Sequence, residues 1–382
     1  MIKFRAGGRE TSLLPGSERI PLREFTALTR ILEHLDHGDT DAAVAEFTRE
    51  DLEPRAFADY AIWHRVSDWI HAALERAGAL ERVHRRTRHW LVSAHARHRT
   101  RTDLLLGALA PLAAALDSAG VRFIILKGFP VAERLYGSVY LRPQDDIDIL
   151  VPRQDVARAC AALTACGYRE KRLSALSRFV ASTFEYSVSL HSGAVALDLH
   201  WRFRHRPAYR IDYAAVWDTR STASVGGRDY AVLSREYELV FLMLSIVDDL
   251  ERGAGRLKYL LDLRLALREG GTGIDWESFF ARRRAENLAA ICVNALVVLE
   301  HLLPWRADVA ALAGCLDRNQ ALVAIRDRDH AVALMTAPRR TPRNRLWFSG
   351  LYPSPAPLYW GWLLVRSGWR HLALVTDKLA AR

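Results

Sequence analysis

The sequence predicts an α+β fold in which a small mixed β-sheet is embedded in a mainly helical N- and C-terminal frame. Three changes of pattern along the chain lead to this prediction. Apolar residues recur at helical spacing from residue 21 to about residue 119. At Gly120 the pattern becomes a series of short β-branched and aromatic runs separated by turns, which continues to about residue 233. Helical spacing then returns, so the sheet is expected in the middle of the chain.

These changes divide the 382 residues into five predicted segments. They are a loose lead-in over 1–20, a helical N-terminal domain over 21–119, an α/β core over 120–233, a helical C-terminal domain over 234–337, and a Pro- and Arg-rich loop with a C-terminal amphipathic helix over 338–382. Half of the residues are hydrophobic, which excludes a disordered chain.

The helical frame is predicted from apolar spacing and from its breaks. Ahead of the core, helices are expected over 22–35, 41–49, 54–78 and 81–118. After the core, helices are expected over 235–249, 255–269, 276–286 and 288–303. The Pro- and Arg-rich stretch over 338–357 is interpreted as a surface loop.

The α/β core begins with a predicted strand over 121–126, which the Lys127-Gly128 step ends before a short helix over 130–136. The elements that follow are a strand over 146–151, a helix over 154–166, two strands over 184–190 and 195–200 joined by a turn at Ser192-Gly193, and a short strand near 230–233.

The net charge of +10 comes almost entirely from arginine. Because arginine is the default cation, each of the few lysines needs a chemical or steric reason; they are Lys3, Lys127, Lys171, Lys258 and Lys378. The arginine-rich stretch over 82–101 has two open interpretations. It forms either a nucleic-acid contact or the solvated face of a long helix, and its arginines are Arg85, Arg86, Arg88, Arg97, Arg99 and Arg101.

The chain is predicted to be cytoplasmic. No apolar run follows Met1, so no signal peptide is expected, and the four cysteines lack CxxC spacing. The apolar stretch over 358–376 carries Arg366, Arg370 and His371, so no membrane span is expected there. It is interpreted either as a helix packed on the body through its tryptophans or as a peripheral contact with a membrane or a partner.

Three aspartates stand out in the predicted strands. Asp146 and Asp148 are spaced i, i+2, so both carboxylates project from one face of their strand. Adjacent carboxylates repel, and burial raises the cost, so the pair needs a cation such as Mg²⁺ or Mn²⁺. If the strand of Asp198 is a neighbour, three carboxylates converge as in sites that hold two divalent ions for in-line phosphoryl displacement. Asp198 is then the best candidate for contact with the attacking group.

The Lys127-Gly128 step is the second part of the predicted site. It follows a strand and precedes a short helix, so its backbone N–H groups can meet phosphate oxygens, and Gly128 permits a close approach. Each of these features alone is common in turns and on surfaces. Their combination within one short α/β unit indicates a functional site.

At these residues the sequence resembles the DNA polymerase β-type nucleotidyltransferase superfamily. It is most similar to the family of uncharacterised nucleotidyltransferases, some of which accompany genes for lasso-peptide and other peptide (natural product) biosynthesis. The matching pieces are LKGFPVAERLYG, LRPQDDIDILV, ALTACGY and VALDLHWRF, and the likeness covers roughly residues 25–305.

The resemblance implies a polymerase β-like core that uses an NTP, such as ATP, with Mg²⁺ or Mn²⁺. It implies that Asp146, Asp148 and Asp198 bind the metal and that Lys127 and Gly128 face the nucleotide. The sequence departs from the superfamily at Phe129, where many members have serine or glycine. Phe129 has no hydroxyl for a phosphate, and Lys127 is expected to compensate.

Three further residues have alternative roles. Arg142 binds phosphate or pairs with Asp145. His200 supports the metal ligands, acts as a general acid or base, or makes a structural hydrogen bond. Lys258 binds the nucleotide, or it forms a surface ion pair with Asp262 one helical turn away.

The predicted function is metal-dependent transfer of NMP from an NTP to an acceptor, with release of pyrophosphate. A small molecule or peptide is favoured as the acceptor. An RNA end is the alternative, as in a tRNA-modifying nucleotidyltransferase toxin, although no aromatic-interleaved basic RNA motif is present. The other alternative is a non-catalytic nucleotide-binding or scaffold protein that keeps the shell of the fold.

Overall fold

The computed structural model describes residues 22–49, 52–170, 186–204, 208–337, 342–351 and 356–380, and it confirms the predicted fold class. A seven-stranded mixed sheet occupies the middle of the chain, and helices precede and follow it. The predicted lead-in over 1–20 lies outside the described residues.

The helices ahead of the sheet are α1 (Leu22–Asp36), α2 (Thr40–Phe47), α3 (Pro54–Trp63), α4 (Ser67–Arg76) and α5 (Arg85–Ser118). Carboxylates accept the first N–H groups of two of them: Asp39 at α2 and Glu53 at α3. The single helix predicted over 54–78 is wrong. The chain turns between α3 and α4 at Arg65, whose φ of 61° is left-handed.

The middle of the chain contains β1 (Ile124–Ile125), α6 (Phe129–Tyr136), β2 (Ile147–Leu150), α7 (Val156–Ala165), β3 (Arg169–Glu170), β4 (Ser187–Ser192), β5 (Val195–His200), α8 (Tyr213–Asp218), β6 (Ser221–Val225) and β7 (Arg228–Val232). The order across the sheet is β3-β4-β5-β2-β1-β7-β6. β2 and β5 are parallel neighbours, whereas β1 runs antiparallel to β2. A tight turn at Gly193 joins β4 to β5, as predicted.

The observed strands differ from the prediction in two ways. Only Ile124–Ile125 of the predicted strand over 121–126 is assigned as β1, although Leu126 continues the pairing by donating its N–H to the carbonyl of Asp148. β3 and β6 were not predicted. Both residues of β3 are exposed, and β6 is mostly exposed serine, threonine and alanine, so neither strand carries an apolar signal.

The helices after the sheet are α9 (Arg235–Glu251), α10 (Leu257–Gly270), α11 (Trp276–Ala285), α12 (Ala289–Leu302), α13 (Ala310–Arg318), α14 (Arg328–Met335), α15 (Pro342–Leu351) and α16 (Ala356–Ala380). The first turn of α10 is fixed to the end of α3 by His64. The Nδ1 atom of His64 accepts from the N–H of Leu257 at 3.3 Å, and its carbonyl accepts from the N–H of Lys258 at 3.1 Å.

The prediction of a surface loop over 338–357 is wrong, because residues Pro342–Leu351 form the helix α15, which packs on the rest of the protein. The buried Asn344 donates its side-chain amide to the carbonyls of Leu250 and Leu334, and Phe348 and Leu351 are buried in the main core. The contact with Leu250 comes from a distant part of the sequence, so the local pattern of proline and arginine does not reveal it.

Two hydrophobic clusters make up the core of the described ranges. The larger cluster combines helices from both ends of the chain, for example Phe25 and Ile70 with Leu260 and Leu296. The smaller one packs the sheet against α7 and the second half of α5. Helices from the predicted N- and C-terminal domains therefore share one core, and the predicted domain boundaries stay predictions.

The C-terminal helix α16 packs on the body at its start. Tyr359 is buried and donates its hydroxyl to Glu251 at 2.6 Å. Farther along, Leu364, Val365 and Trp369 are exposed by 72%, 50% and 38%. No helix in the described ranges is long and apolar enough to span a membrane.

Candidate active site

Two aspartates of the site lie on neighbouring parallel strands. β2 and β5 pair so that Asp148 is directly opposite Asp198. Paired residues point to the same face of a sheet, so both carboxylates share one face. Asp148 is buried and Asp198 is half-buried. The expectation that the strand of Asp198 neighbours that of Asp148 is therefore confirmed.

Asp146 and Lys127 lie beside this pair. Asp146 immediately precedes β2, and its side chain is half-buried. The ammonium of Lys127 is 2.6 Å from Oδ2 of Asp148 and 3.7 Å from Oδ1 of Asp146. The structure thus brings the predicted Lys127 and both acids of the DxD pattern into one cluster.

His200 completes a group of possible metal ligands. Its Nε2 atom lies 3.1 Å from Oδ1 of Asp148, and its side chain is 4% exposed. Asp148, Asp198 and His200 each offer one ligand atom within 4.8 Å of the others, and no other such group of three occurs in the part of the chain that the structure describes. Asp146 is not a member of this group, so its role as a metal ligand stays a prediction.

The donor set fits a divalent cation. Carboxylate oxygens suit Mg²⁺ and Mn²⁺, and an imidazole nitrogen suits Mn²⁺ better than Mg²⁺. Two neighbouring side chains already hold the donors in place. Ser189 on β4 donates its hydroxyl to Asp198, and Tyr186 packs its ring 5.7 Å from that of His200. The residues present therefore fit a metal ion without rearrangement of the sheet.

The three charged groups of this cluster influence one another's ionisation. Burial and the nearby Asp148 raise the pKa of Asp146 to about 6. Burial alone would raise the pKa of Asp148, but the Lys127 ammonium and the hydrogen bond from His200 outweigh it and hold this pKa below its usual range. Burial opposes the charge on Lys127, yet the two carboxylates raise its pKa well above the usual value. Lys127 therefore acts as the local counter-ion of the acids.

Gly128 occupies a position that only glycine fits. Its φ is +88°, and a Cβ atom there would lie 2.5 Å from Oε1 of Gln144. Gln144 is 6% exposed, and neither atom of its amide has a hydrogen-bond partner among the described residues. Gln144 could not be found from the sequence, because only the fold places it against the turn that precedes α6. Phe129, where the sequence departs from the superfamily, is buried in the core of the sheet.

Arg142 makes a buried bidentate ion pair with Asp262. It is 1% exposed, and it donates to both oxygens of Asp262, from Nε at 2.8 Å and from an Nη atom at 2.6 Å. Tyr136 donates its hydroxyl to the same carboxylate at 2.7 Å. The alternative in which Arg142 pairs with Asp145 is wrong, because Arg65 takes that carboxylate.

Lys258 lies near these ion pairs on α10 and is also buried. Its ammonium donates to the carbonyl of Pro143 at 3.2 Å, so it approaches the segment that leads into Asp146. The alternative of a surface ion pair with Asp262 is wrong, since both residues are buried and Asp262 pairs with Arg142. A direct contact of Lys258 with a nucleotide stays a prediction.

A further buried network adjoins His200 and was not found from the sequence. Arg204 lies 3.1 Å from Asp248 and 5.1 Å from the ring of Tyr186, and Arg252 pairs with Asp248 at 2.5 Å. Arg204 follows the VALDLH motif by only four residues. That proximity is the one sequence signal that points to it.

The arginine-rich stretch on α5 is divided between internal and exposed side chains. Arg88 pairs with Glu81, Arg99 stacks on Tyr140, and Arg101 donates to the carbonyls of Asp145 and Ala194. Arg85, Arg86 and Arg97 are exposed, and no ion pair with them occurs in the described ranges. Three of the six arginines predicted to form a basic surface therefore make contacts within the protein.

Comparison with protein families gives one match. Residues 50–304 match the model of the family described as uncharacterised nucleotidyltransferase, and this range includes every residue of the cluster described above. None of the proteins of curated function matches the chain.

Several solved structures are similar to parts of the chain. The solution structure of the antibiotic-resistance factor ANT(2'')-Ia is 18% identical with a TM-score of 0.36, and the match covers 49% of this chain and 95% of that one. Its crystal structure in complex with adenylyl-2''-tobramycin is 18% identical with a TM-score of 0.33, and the match covers 47% of this chain and 95% of that one. An antigenic nucleotidyltransferase-like protein from Paracoccidioides brasiliensis is 16% identical with a TM-score of 0.29, and the match covers 50% of this chain and 92% of that one.

Proposed function

This chain belongs to the family of uncharacterised nucleotidyltransferases, and from that premise we propose that it transfers NMP from an NTP to an acceptor and releases pyrophosphate. The observation that carries the proposal is the pairing of Asp148 with Asp198 across β2 and β5, with Asp146 beside them. Clustered carboxylates next to a glycine turn suit phosphoryl transfer, which depends on positioning and on neutralising charge.

We assign Asp146, Asp148 and Asp198 as ligands of Mg²⁺ or Mn²⁺. When two such ions are bound, they activate the attacking oxygen and neutralise the leaving pyrophosphate. His200 and Ser189 orient Asp148 and Asp198 through the hydrogen bonds described above. Lys127 neutralises the acids until the ions arrive.

The proposed reaction is a single displacement. The acceptor oxygen forms a bond to the α-phosphorus as the bond from that phosphorus to the pyrophosphate oxygen breaks, and the proton of the acceptor passes to Asp198. Asp198 suits this role because it is more exposed than Asp148, which Lys127 and His200 already engage. Its Oδ1 atom accepts from Ser189, and its other oxygen has no hydrogen-bond partner among the described residues.

The nucleotide is assigned to the turn at Lys127 and Gly128 and to Lys258 on α10. The backbone amides after Gly128 begin a helix, which favours an anion at that end. Arg142 is assigned a positioning role, because it is buried and its Nε and one Nη atom make a bidentate pair with Asp262 on the same helix as Lys258. We propose that this pair fixes α10 beside the segment that leads into Asp146.

A small molecule or a peptide is the acceptor that we favour. The arginines of α5 are the main support for RNA, and three of the six are used in contacts within the protein. An RNA end, as in a tRNA-modifying toxin, remains the alternative acceptor, and steep salt dependence of RNA binding would distinguish it.

The experiment that tests the proposal uses two labels. The protein is incubated with Mg²⁺ or Mn²⁺, fractionated cell extract and each NTP, labelled either at the α- or at the γ-phosphate. We expect an acceptor that gains label from the α-position and never from the γ-position. Transfer from the γ-position would indicate a kinase. Metal-dependent NTP binding without any transfer would favour the non-catalytic nucleotide-binding protein.

A further inference from the structure

Lys258 differs from three cations that surround it. Each of those three has a carboxylate within hydrogen-bond distance, in the pairs Lys127–Asp148, Arg65–Asp145 and Arg142–Asp262. Lys258 forms no ion pair with any carboxylate in the described ranges, and its ammonium contacts only the carbonyl of Pro143 and the face of the Tyr259 ring, 5.1 Å away.

The surroundings of Lys258 oppose a positive charge. Its side chain is 6% exposed, so water does not solvate the ammonium. Burial, followed by the charges of Arg142, Lys127 and Arg65, lowers the pKa of Lys258 well below its usual value, and Asp262 opposes this only in part. The other charged or titratable groups near it are Asp145 on the same loop as Pro143 and Tyr259 on α10.

An anion that binds beside Lys258 favours the protonated form of its amine. A triphosphate carries several negative charges, and a buried amine beside it gains a proton because the ion pair replaces the missing carboxylate. Metal ions held by the aspartates add positive charge and favour the neutral amine before the nucleotide binds. Arginine cannot respond in this way, since its guanidinium stays protonated at all accessible pH values. This difference gives a chemical reason for one of the few lysines in an arginine-rich chain.

We propose that Lys258 is a proton-linked phosphate site, neutral in the free enzyme and protonated from solvent when the triphosphate binds. No bond of the nucleotide changes in this step, because one proton moves from water or buffer onto the amine. The inference rests on the proposed function, since it takes the nucleotide as the anion. Its consequence is that nucleotide affinity falls as the pH rises.

Calorimetry in buffers of different ionisation enthalpy measures the linked protons directly. The full chain is titrated with each of ATP, GTP, CTP and UTP in the presence of Mg²⁺ and without an acceptor, and the tightest ligand is used. The matched variants are Lys258→Arg, which keeps a permanent charge, and Lys258→Met, which has none. The terminal phosphate of the nucleotide also titrates near neutral pH, so the decisive comparison is with Lys258→Arg, which keeps a positive charge beside the phosphate.

We expect the wild type to take up more protons per nucleotide than either variant, by as much as one. Lys258→Arg should bind with an affinity that changes less with pH, and Lys258→Met should bind about tenfold or more weakly. Equal proton uptake by the wild type and a folded Lys258→Arg variant would overturn the inference while leaving the nucleotidyltransferase proposal intact. Failure of the wild type to bind any of the four NTPs would instead overturn both.

Discussion

Asp148 and Asp198 lie directly opposite each other on the parallel strands β2 and β5, and each is held by a hydrogen bond from a different neighbour. His200 contacts Asp148, and Ser189 donates to Asp198. Two carboxylates on one face of a sheet repel, so this arrangement is costly unless a cation is present. Removal of one of the two charges should therefore change metal binding more than removal of a charge elsewhere on the sheet.

Gly128→Ala should destabilise the protein more than Gly137→Ala. Both glycines have a positive φ, but only at Gly128 would a Cβ atom meet another side chain, that of Gln144. Gly137, at φ 73° and ψ 4°, is in the left-handed helical region, where alanine costs about 1 kcal/mol. Gly128, at φ 88° and ψ −119°, is in a region that favours glycine much more strongly, so Gly128→Ala has a larger backbone cost and adds the collision. Urea denaturation measures both. Equal losses would contradict this expectation, and adding Gln144→Ala to Gly128→Ala should recover the part of the loss that comes from the collision.

Arg142→Met should lower the free energy of unfolding by about 3–5 kcal/mol, because it leaves the buried carboxylate of Asp262 without its partner. Arg142→Lys keeps the charge but loses the two parallel hydrogen bonds, so its loss should be smaller. Chemical denaturation of both variants gives the comparison. A near-neutral Arg142→Met would contradict the assignment of Arg142 as a positioning residue.

His64 should make the protein less stable as the pH falls. Burial and the charge of Arg256 lower the pKa of folded His64 to about 3, whereas the unfolded chain has the usual value of 6.5. Between these two values the unfolded state binds a proton that the folded state does not. The contribution of His64 is therefore fully present above pH 6.5 and falls by about 1.4 kcal/mol for each pH unit below it. Denaturation midpoints at pH 7.5 and 5.5 should differ less in His64→Asn than in the wild type. An unchanged difference would contradict the buried neutral state of His64.

Replacing the exposed arginines Arg86 and Arg97 by glutamine should leave transfer to the acceptor unchanged if that acceptor is a small molecule. Both lie on α5 and form no ion pair in the described part of the chain. If RNA were the acceptor, the double variant would bind it more weakly, and the slope of log affinity against log salt would fall by about 2. Transfer rates at several salt concentrations decide between the two.

Most of the candidate cluster could be predicted from the sequence, because the patterns that place its residues are local. The i, i+2 spacing of Asp146 and Asp148 and the apolar residues around Asp198 determine which face each carboxylate takes. The register between β2 and β5 follows from burial of their apolar faces, since a slip of one residue would turn those faces to solvent.

The partners of the charged residues could not be predicted, because they come from distant parts of the chain. An ion pair of Asp262 with Lys258 one turn away is one of the two interpretations of that spacing, but Arg142 reaches Asp262 from the loop ahead of β2. Gln144 likewise becomes significant only when the fold places it against Gly128. Local spacing predicts which residues can meet along one helix or strand. It does not predict which loop packs on that helix or strand.

The most direct test of the central claim compares two aspartates on strands. Asp148→Asn removes one charge from the pair opposite Asp198, while Asp229→Asn removes one from an exposed position on β7. Both proteins are given the α-labelled NTP, the divalent ion and the acceptor fraction that support transfer in the wild type. The account predicts that Asp148→Asn loses at least 100-fold in rate with its fold intact by circular dichroism, and that Asp229→Asn keeps the wild-type rate. Wild-type transfer by Asp148→Asn would contradict it.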